Sequence, residues 1–429
     1  MGDRRYACSP NYRRTFPKAQ SNSMRTPITP RAVSKCLSPL EKIALRPFGT
    51  ITCIMHAPRL IDLFCGCGGL SLGAARAGFK LILGVDLDKR AIMAHQKNFP
   101  KSKHAHIDIS TIDGDELLKL AGSSAGSVDI ISGGPPCQGF SAIGKRDVQD
   151  SRNFLIEDFF RLVAAVRPKV FVMENVPGLV REKHASILKK ALGLVKSQYT
   201  VLAPQKIVAY EFGAPTVRTR IIVVGFRSGV SLDEGFLEQE ATRYLAAPVV
   251  RQALAGLPKD IDPTPKGNRA GERVVRLEKS GHFFDSVIDR VPSKVGCPIA
   301  LEQYAKHRIV TGCLGTLHST ELMQRYGSLA AGETDPKTKS TRLDPAGYCP
   351  TLRAGTGPER GSFQAVRPIH HLRPRVITPR EAARLQGFPD WFQFDETKWH
   401  SFRQLGNSVS PLVAEAVFRP IFEALNNGK

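Results

Sequence analysis

One stretch of this 429-residue chain is built to present a thiol. Gly133-Gly134-Pro135-Pro136-Cys137-Gln138-Gly139-Phe140-Ser141 directly follows Val128 to Ser132, an apolar run that reads as a β-strand. Two prolines fix the backbone ahead of Cys137, and glycines flank the group. A buried structural cysteine needs none of this. A rigid, exposed turn offering one thiol at the ligand face of a sheet is the setting of a nucleophile. Met173-Glu174-Asn175-Val176 ends the next strand, so the Glu174 carboxylate faces the same crevice.

A second group looks made for a ligand. Asp62-Leu63-Phe64-Cys65-Gly66-Cys67-Gly68-Gly69 joins a first strand to a first helix. Glycines there let a ligand touch the backbone, because no Cβ intervenes. The pattern is not the dinucleotide fingerprint, since Ser71 stands where the third glycine belongs, and no P-loop lysine follows. A glycine turn without a phosphate motif suits an adenosine ligand that lacks a pyrophosphate. Asp86, ending the second strand, is placed for ribose hydroxyls. Asp108, after a third short strand at His104 to Ile107, is placed to accept from an adenine amino group.

These groups need a frame that gathers strand ends. Leu60 to Phe64, Leu81 to Val85, Val128 to Ser132 and Val170 to Met173 read as short strands. Leu70 to Ala77, Ala91 to Asn98 and Phe154 to Val166 read as helices between them. The alternation predicts a parallel, doubly wound α/β sheet, in which ligands bind beyond the carboxyl ends of the strands. Val201 to Val208 and Ile221 to Phe226 predict an antiparallel hairpin closing that sheet. From about residue 245 to Pro374 the chain turns Pro-, Gly- and Arg-rich without a sustained helical period, and reads as a separate small domain. Helical pattern returns at Pro379 to Leu385 and at Leu412 to Leu425.

Composition narrows the class of partner. Lys and Arg number 61 against 39 acids, a net charge of +22, which favours a polyanion and first of all nucleic acid. No apolar run approaches the roughly 18 residues of a membrane span. The nine cysteines are scattered and odd in number, which fits a reducing cytoplasm rather than a disulfide scaffold. Cys65 and Cys67 are two apart and no second pair completes a zinc site, so no metal is expected. Residues 1–55 are basic and Pro- and Ser-containing, and read as a disordered tail. They have some likeness to an organelle transit peptide, but Pro10, Pro17, Pro27 and Pro30 break any amphipathic helix. Met55, just before the first strand, is an alternative start.

Taken in order, the segments resemble the DNA (cytosine-5) methyltransferase family of bacterial restriction-modification type. The resemblance covers Arg59 to Leu425. It rests on the turn from Asp62 to Gly69, Pro135-Pro136-Cys137, Glu174-Asn175-Val176, and Arg218-Thr219-Arg220 after Gly213-Ala214-Pro215. It rests also on Glu381 with Arg384-Leu385-Gln386-Gly387-Phe388-Pro389, and on Gln404-Leu405-Gly406-Asn407-Ser408-Val409. It implies a Rossmann-like methyltransferase sheet that uses S-adenosylmethionine and no metal, with a smaller, irregular target-recognition domain. Cys137 resembles the nucleophile that attacks carbon 6 of a flipped-out cytosine. Glu174 resembles the group that bonds ring nitrogen 3 and the exocyclic amine, Arg220 the clamp on the base carbonyl, and Arg218 its support.

Asp62, Phe64, Gly66, Gly68, Gly69, Asp86, Leu87, Asp108, Ile109, Pro135, Asn407 and Val409 match cofactor-contact positions. Pro136, Ser141 and Asn175 match positions on the substrate side. The implied division is a tail over 1–55, a catalytic and cofactor-binding domain over 56–245, target recognition over 246–400, and a C-terminal return over 401–429. The partner implied is double-stranded DNA, handled by a monomer located with the nucleoid in the cytoplasm, with a cognate restriction endonuclease acting separately. One departure stands out, since the family usually has glutamine where Thr216 follows Pro215. An RNA (tRNA) cytosine-5 methyltransferase is the rival enzyme, but its Cys-Phe-Thr signature is missing. An inactive DNA-binding regulator is the rival of another class, and intact Cys137, Glu174 and Arg220 oppose it.

Overall fold

The computed structural model describes residues 57–136, 154–264, 267, 271–276, 281–355 and 366–427. Cys137 and Ser141 lie outside the described residues, as does the N-terminal tail. The chain divides after Ile54, and Met55–Lys429 form one compact unit.

Short runs, the central ones mostly apolar, become the strands of one eight-stranded sheet. β1 (Arg59–Leu63), β2 (Lys80–Asp86), β3 (Lys103–His106), β4 (Ile130–Gly133) and β5 (Val170–Asn175) run parallel in the spatial order β3-β2-β1-β4-β5. β8 (Thr219–Phe226) lies antiparallel beside β5 and pairs in turn with β6 (Thr200–Val201) and β7 (Gln205–Val208). The expected hairpin is therefore present as β7 and β8. Because β8 runs backwards, its first residues lie beside the carboxyl end of β5, with Glu174 opposite Ile222 and Asn175 opposite Ile221.

Both faces of the sheet are covered, as parallel strands require. Alternation along β1 sends Leu60 to one hydrophobic cluster and Ile61 and Leu63 to the other. α3 (Gly114–Ala121), α4 (Phe154–Val166) and α5 (Glu182–Gly193) contribute to the second cluster. α1 (Gly69–Ala77), α2 (Lys89–Asn98) and α12 (Pro411–Asn427) contribute to the first. α1 and α12 pack closely enough that a side chain at Gly73 would strike Ala414. The last helix of the chain is thus seated on the first.

After α6 (Phe236–Ala241) and α7 (Val250–Ala253) comes the stretch read as irregular. It contains two helices that its sequence does not announce, α8 (Pro298–His307) and α9 (Thr320–Ser328). Both are short, 10 and 9 residues, and their starts are local: Pro298 occupies the first turn of α8, and the Ser319 hydroxyl caps α9. Two-residue strands β9 (Arg273–Val274) and β10 (Ile309–Val310) pair beside α8. α10 (Pro379–Leu385) begins at a capping box between Thr378 and Glu381, and α11 (Lys398–Asn407) leads to α12.

Candidate active site

The turn after β1 is shaped by backbone conformation. Phe64 sits at φ 57 and Gly66 at φ 56, both left-handed. A non-glycine residue held there is a strained feature of the kind that gathers at ligand sites. A Cβ on Gly66 would meet nothing within 4 Å, so the backbone there faces open space. Gly69 is the opposite case, because a Cβ would run into Ser408 and Val409. The segment after α11 therefore lies directly on the turn. Val409 is buried there, while Asn407 is exposed at the end of α11.

Asp86 ends β2 beside this turn. Its carboxylate accepts from the backbone N–H of Gly66 (2.8 Å) and of Asp88 (2.8 Å). Partial burial pushes its pKa up. A carboxylate has about four acceptor sites, so two remain for hydroxyl groups. Leu87, next in the chain, is 63% exposed and offers an apolar surface at the same edge. Asp108 uses one oxygen to cap the short helix Ile109–Thr111 through Ser110 N–H (3.0 Å). Ile109 is buried beneath it.

Asp62 behaves differently from its neighbours. Its side chain is fully buried and both oxygens are taken, one by Ser71 Oγ (2.5 Å) and one by Ser132 Oγ (3.0 Å). It was expected among the cofactor contacts, and its carboxylate instead lies inside the protein on the α1 side of the sheet. The sequence marked Ser71 only as a missing glycine and Ser132 only as the end of a strand.

The reacting end is assembled from β4, β5 and β8. The Glu174 carboxylate forms an ion pair with the Arg220 guanidinium, Oε1 to Nε 2.5 Å, with both side chains almost buried. A Cβ on Gly134 would lie 3.0 Å from Glu174 Oε2, so the chain leaving β4 for Pro135-Pro136 passes against this carboxylate. Asn175 Nδ2 donates to the Pro135 carbonyl (3.3 Å), which fixes that approach from the β5 side.

Arg218 has a different position from Arg220. It is fully buried and donates to the carbonyls of Leu352 (3.1 Å) and Gly406 (2.9 Å). Burial, with Arg220 nearby, pulls its pKa well down, against the pull of Glu174. It bonds backbone carbonyls and joins three distant segments. The same junction includes Arg367, which donates to the Arg353 carbonyl (2.5 Å), and Gly406, whose missing Cβ makes room for the backbone at Arg353 and Ala354.

Among the described residues, no cluster of three or more His, Cys, Asp or Glu is placed to hold a metal ion. No helix among them is long and apolar enough to cross a membrane.

A family model described as C-5 cytosine-specific DNA methylase matches residues 58–423. The type II methyltransferase M.XorII of Xanthomonas oryzae pv. oryzae is 38% identical over 389 residues, spanning 86% of this chain and 86% of its own. M.DdeI of Desulfomicrobium norvegicum, also a type II methyltransferase, is 32% identical over 400 residues, spanning 86% of this chain and 90% of its own. Among solved structures, a protein described as a DNA modification methyltransferase encoded within an E. coli prophage superposes with a TM-score of 0.77. It has 44% sequence identity and covers 86% of this chain and 100% of that one. The S. pombe Dnmt2 methyltransferase shares the fold, with a TM-score of 0.56 at 16% identity, over 86% of this chain and 99% of that one.

Proposed function

The chain belongs to the C-5 cytosine-specific DNA methylase family, as a DNA (cytosine-5)-methyltransferase related to the type II enzymes of restriction-modification systems, and on that premise we propose how it works. The proposed reaction methylates carbon 5 of a cytosine flipped out of double-stranded DNA, through a covalent adduct with Cys137. The observation that carries it is the Glu174–Arg220 pair, set against the start of the Pro-Pro-Cys segment at the carboxyl edge of the sheet.

Cytosine carbon 5 is a poor nucleophile. Addition of the Cys137 thiolate to carbon 6 makes it electron-rich. Glu174 holds ring nitrogen 3 and the exocyclic amine while charge develops on the ring, and Arg220 holds both Glu174 and the base carbonyl. After methylation, loss of the carbon 5 proton and of the thiolate restores the ring and frees the enzyme. Pro136, Ser141 and Asn175 are assigned to the substrate side of this site, and Arg218 to positioning of its frame. A base stacked in a duplex cannot be reached this way, hence the flip.

The turn at β1 fits S-adenosylmethionine. Gly66 leaves backbone open, Asp86 keeps acceptor capacity for ribose hydroxyls, and Leu87 presents an apolar face toward an adenine. Phe64, Asp108, Ile109, Pro135, Asn407 and Val409 complete the proposed pocket. When bound, this cosubstrate supplies a methyl group carried on positively charged sulfur. Residues 246–400 are assigned to target recognition, and a companion endonuclease acting on the same sequence is part of the proposal.

DNA carrying 5-fluorocytosine tests the covalent step, because fluorine cannot leave as the proton does. Wild type should form a denaturation-stable adduct with it, and Cys137→Ser should form none and lose turnover. Appreciable methylation by Cys137→Ser would sink the mechanism.

A further inference from the structure

Beneath the turn that follows β1 runs a chain of buried polar side chains that the reaction leaves unused. Ser71 Oγ lies 2.5 Å from Asp62 Oδ2 and 3.0 Å from His95 Nε2. His95 Nδ1 lies 2.9 Å from His104 Nε2 on β3. The second Asp62 oxygen accepts from Ser132 Oγ at 3.0 Å. Asp62, Ser71, His95 and Ser132 are all completely buried.

With Asp62 ionised and His95 neutral, the distances give one direction to every proton. A serine hydroxyl has one hydrogen, and Ser71 spends it on Asp62. It must then accept from His95, so His95 carries its proton on Nε2. Burial drives the His95 pKa well down, so the ring is neutral and its bare Nδ1 accepts from His104. The donors therefore run one way, from the half-buried His104 to Asp62.

The placement of His95 ties this chain to the site. Its ring lies tilted against Phe99, with centroids 4.4 Å apart and planes 32° from parallel. The two rings fill the space that side chains at Gly68 and Gly84 would need. Gly68 belongs to the turn, so Phe99, the nearer ring, and His95 beside it form the floor on which the turn rests. At the other end, Asp62 bonds α1 through Ser71 and β4 through Ser132, and β4 runs straight into Pro135-Pro136-Cys137.

We infer that Ser71 and His95 are positioning residues for methyl-donor binding, acting through Asp62 to hold the β1 turn and the strand entering the nucleophile segment in one register. An apolar filling would close the same space without orienting anything. A buried polar chain is costly unless each member is satisfied, and a satisfied one admits a single arrangement. The titratable groups facing Asp62 and His95 are Asp86, Cys65 and His104. Burial pushes the Asp62 carboxyl up to about 7. The donors from Ser71 and Ser132 oppose that shift.

The inference rests on assigning the β1 turn to S-adenosylmethionine, and the experiment separates the two. Calorimetry on the full chain measures binding of S-adenosylhomocysteine, the demethylated product. Ser71→Ala and His95→Phe should each weaken it about tenfold, the equivalent of one lost buried hydrogen bond. His95→Gln, which keeps a donor toward Ser71, should recover most of the affinity. The double variant Ser71→Ala/His95→Phe should be little worse than either single one, because both act through one chain. Nitrogen-15 spectra of the unmodified protein should show His95 protonated on Nε2 only. Wild type that fails to bind overturns the donor-site assignment, and the inference with it. Wild type that binds, with single variants within twofold of it, additive losses, or a proton on His95 Nδ1, overturns the inference alone.

Discussion

The hydroxyl of Thr216 donates to the backbone carbonyl of Cys349 across 3.0 Å, between two segments 133 residues apart in sequence. The Val217 N–H reaches the same carbonyl (3.0 Å), and the Cys349 N–H returns to Pro215 (2.9 Å). The loop entering the Arg218-Thr219-Arg220 strand is thereby bound like a short strand to the chain running into Leu352. Tyr210 and Tyr348 stack alongside, with centroids 5.1 Å apart and planes within 7°. Thr216 is the one clear departure from the family pattern, and it is fully engaged. Thr216→Val should lower stability by about 1 kcal/mol, since the carbonyl keeps its second donor. Thr216→Gln should cost more, about 1–3 kcal/mol, because a larger side chain must enter a filled site. Urea unfolding checks both, and a stabilised Thr216→Gln protein would contradict the packing described.

Glu174 and Arg220 should not tolerate neutral replacement. Glu174→Gln keeps the shape but loses the charge that holds Arg220, so single-turnover methylation should slow by at least about 100-fold. DNA binding measured by gel shift should change little, because both side chains are almost buried. A Glu174→Gln enzyme within tenfold of wild type would remove Glu174 from the proposed chemistry.

Arg384 and Asp390 form an ion pair with no exposed surface, Nη2 to Oδ2 2.5 Å, and Arg384 also donates to the Ala255 carbonyl (2.5 Å). Arg384→Met strands Asp390 as a buried charge, and should cost about 3–5 kcal/mol. Adding Asp390→Leu should restore part of that loss. Chemical denaturation of the four proteins of this cycle reads the coupling directly, and strict additivity would mean that the two groups act independently.

His370 carries a pH dependence. Burial drives its pKa down to about 4, against the pull of Glu381. Its folded pKa thus lies below the ordinary 6.5 of the unfolded chain, which therefore binds more protons between those values. Stability from this residue is complete above pH 6.5 and is lost as pH falls toward 4, by roughly 3 kcal/mol. Asp62 contributes with the opposite sign over much of this window, because its folded pKa is raised. Unfolding of wild type and His370→Gln at pH 7 and pH 4.5 isolates the His370 part: the variant should lose less stability on acidification. Equal losses would show that His370 does not titrate as described.

The sheet, and the candidate residues along its carboxyl edge, could be read in advance because their signals are local. A glycine cluster after an apolar run, an acid ending the next run, and Glu174 ending another each announce themselves within a few residues. α8 and α9 were missed because they are short, and their stability comes from tertiary packing rather than from a repeating apolar face. Arg218 can be named from its motif, but its partners Leu352 and Gly406 lie 134 and 188 residues away. His95 reads in isolation as one more polar residue on a surface helix. Only the fold sets it under Gly68 and beside Ser71.

The contact between the first turn and the last segment has a consequence in time. Cys67 and the Gln404 carbonyl, which meet at 3.9 Å, are separated by 337 positions. At roughly 5–20 residues per second, a ribosome needs about 20–70 s to cover that interval. Throughout it, Leu70 and Leu72 of α1 await the helix that will bury them, and the turn lacks Ser408 and Val409 along its flank. A chain released early by a nonsense codon or a stalled ribosome carries the thiol segment, Glu174 and Arg220, yet no closed β1 turn. Synthesis therefore closes the β1 turn only once the segment from Gln404 to Val409 has been made, and copies stopped before it lack that flank.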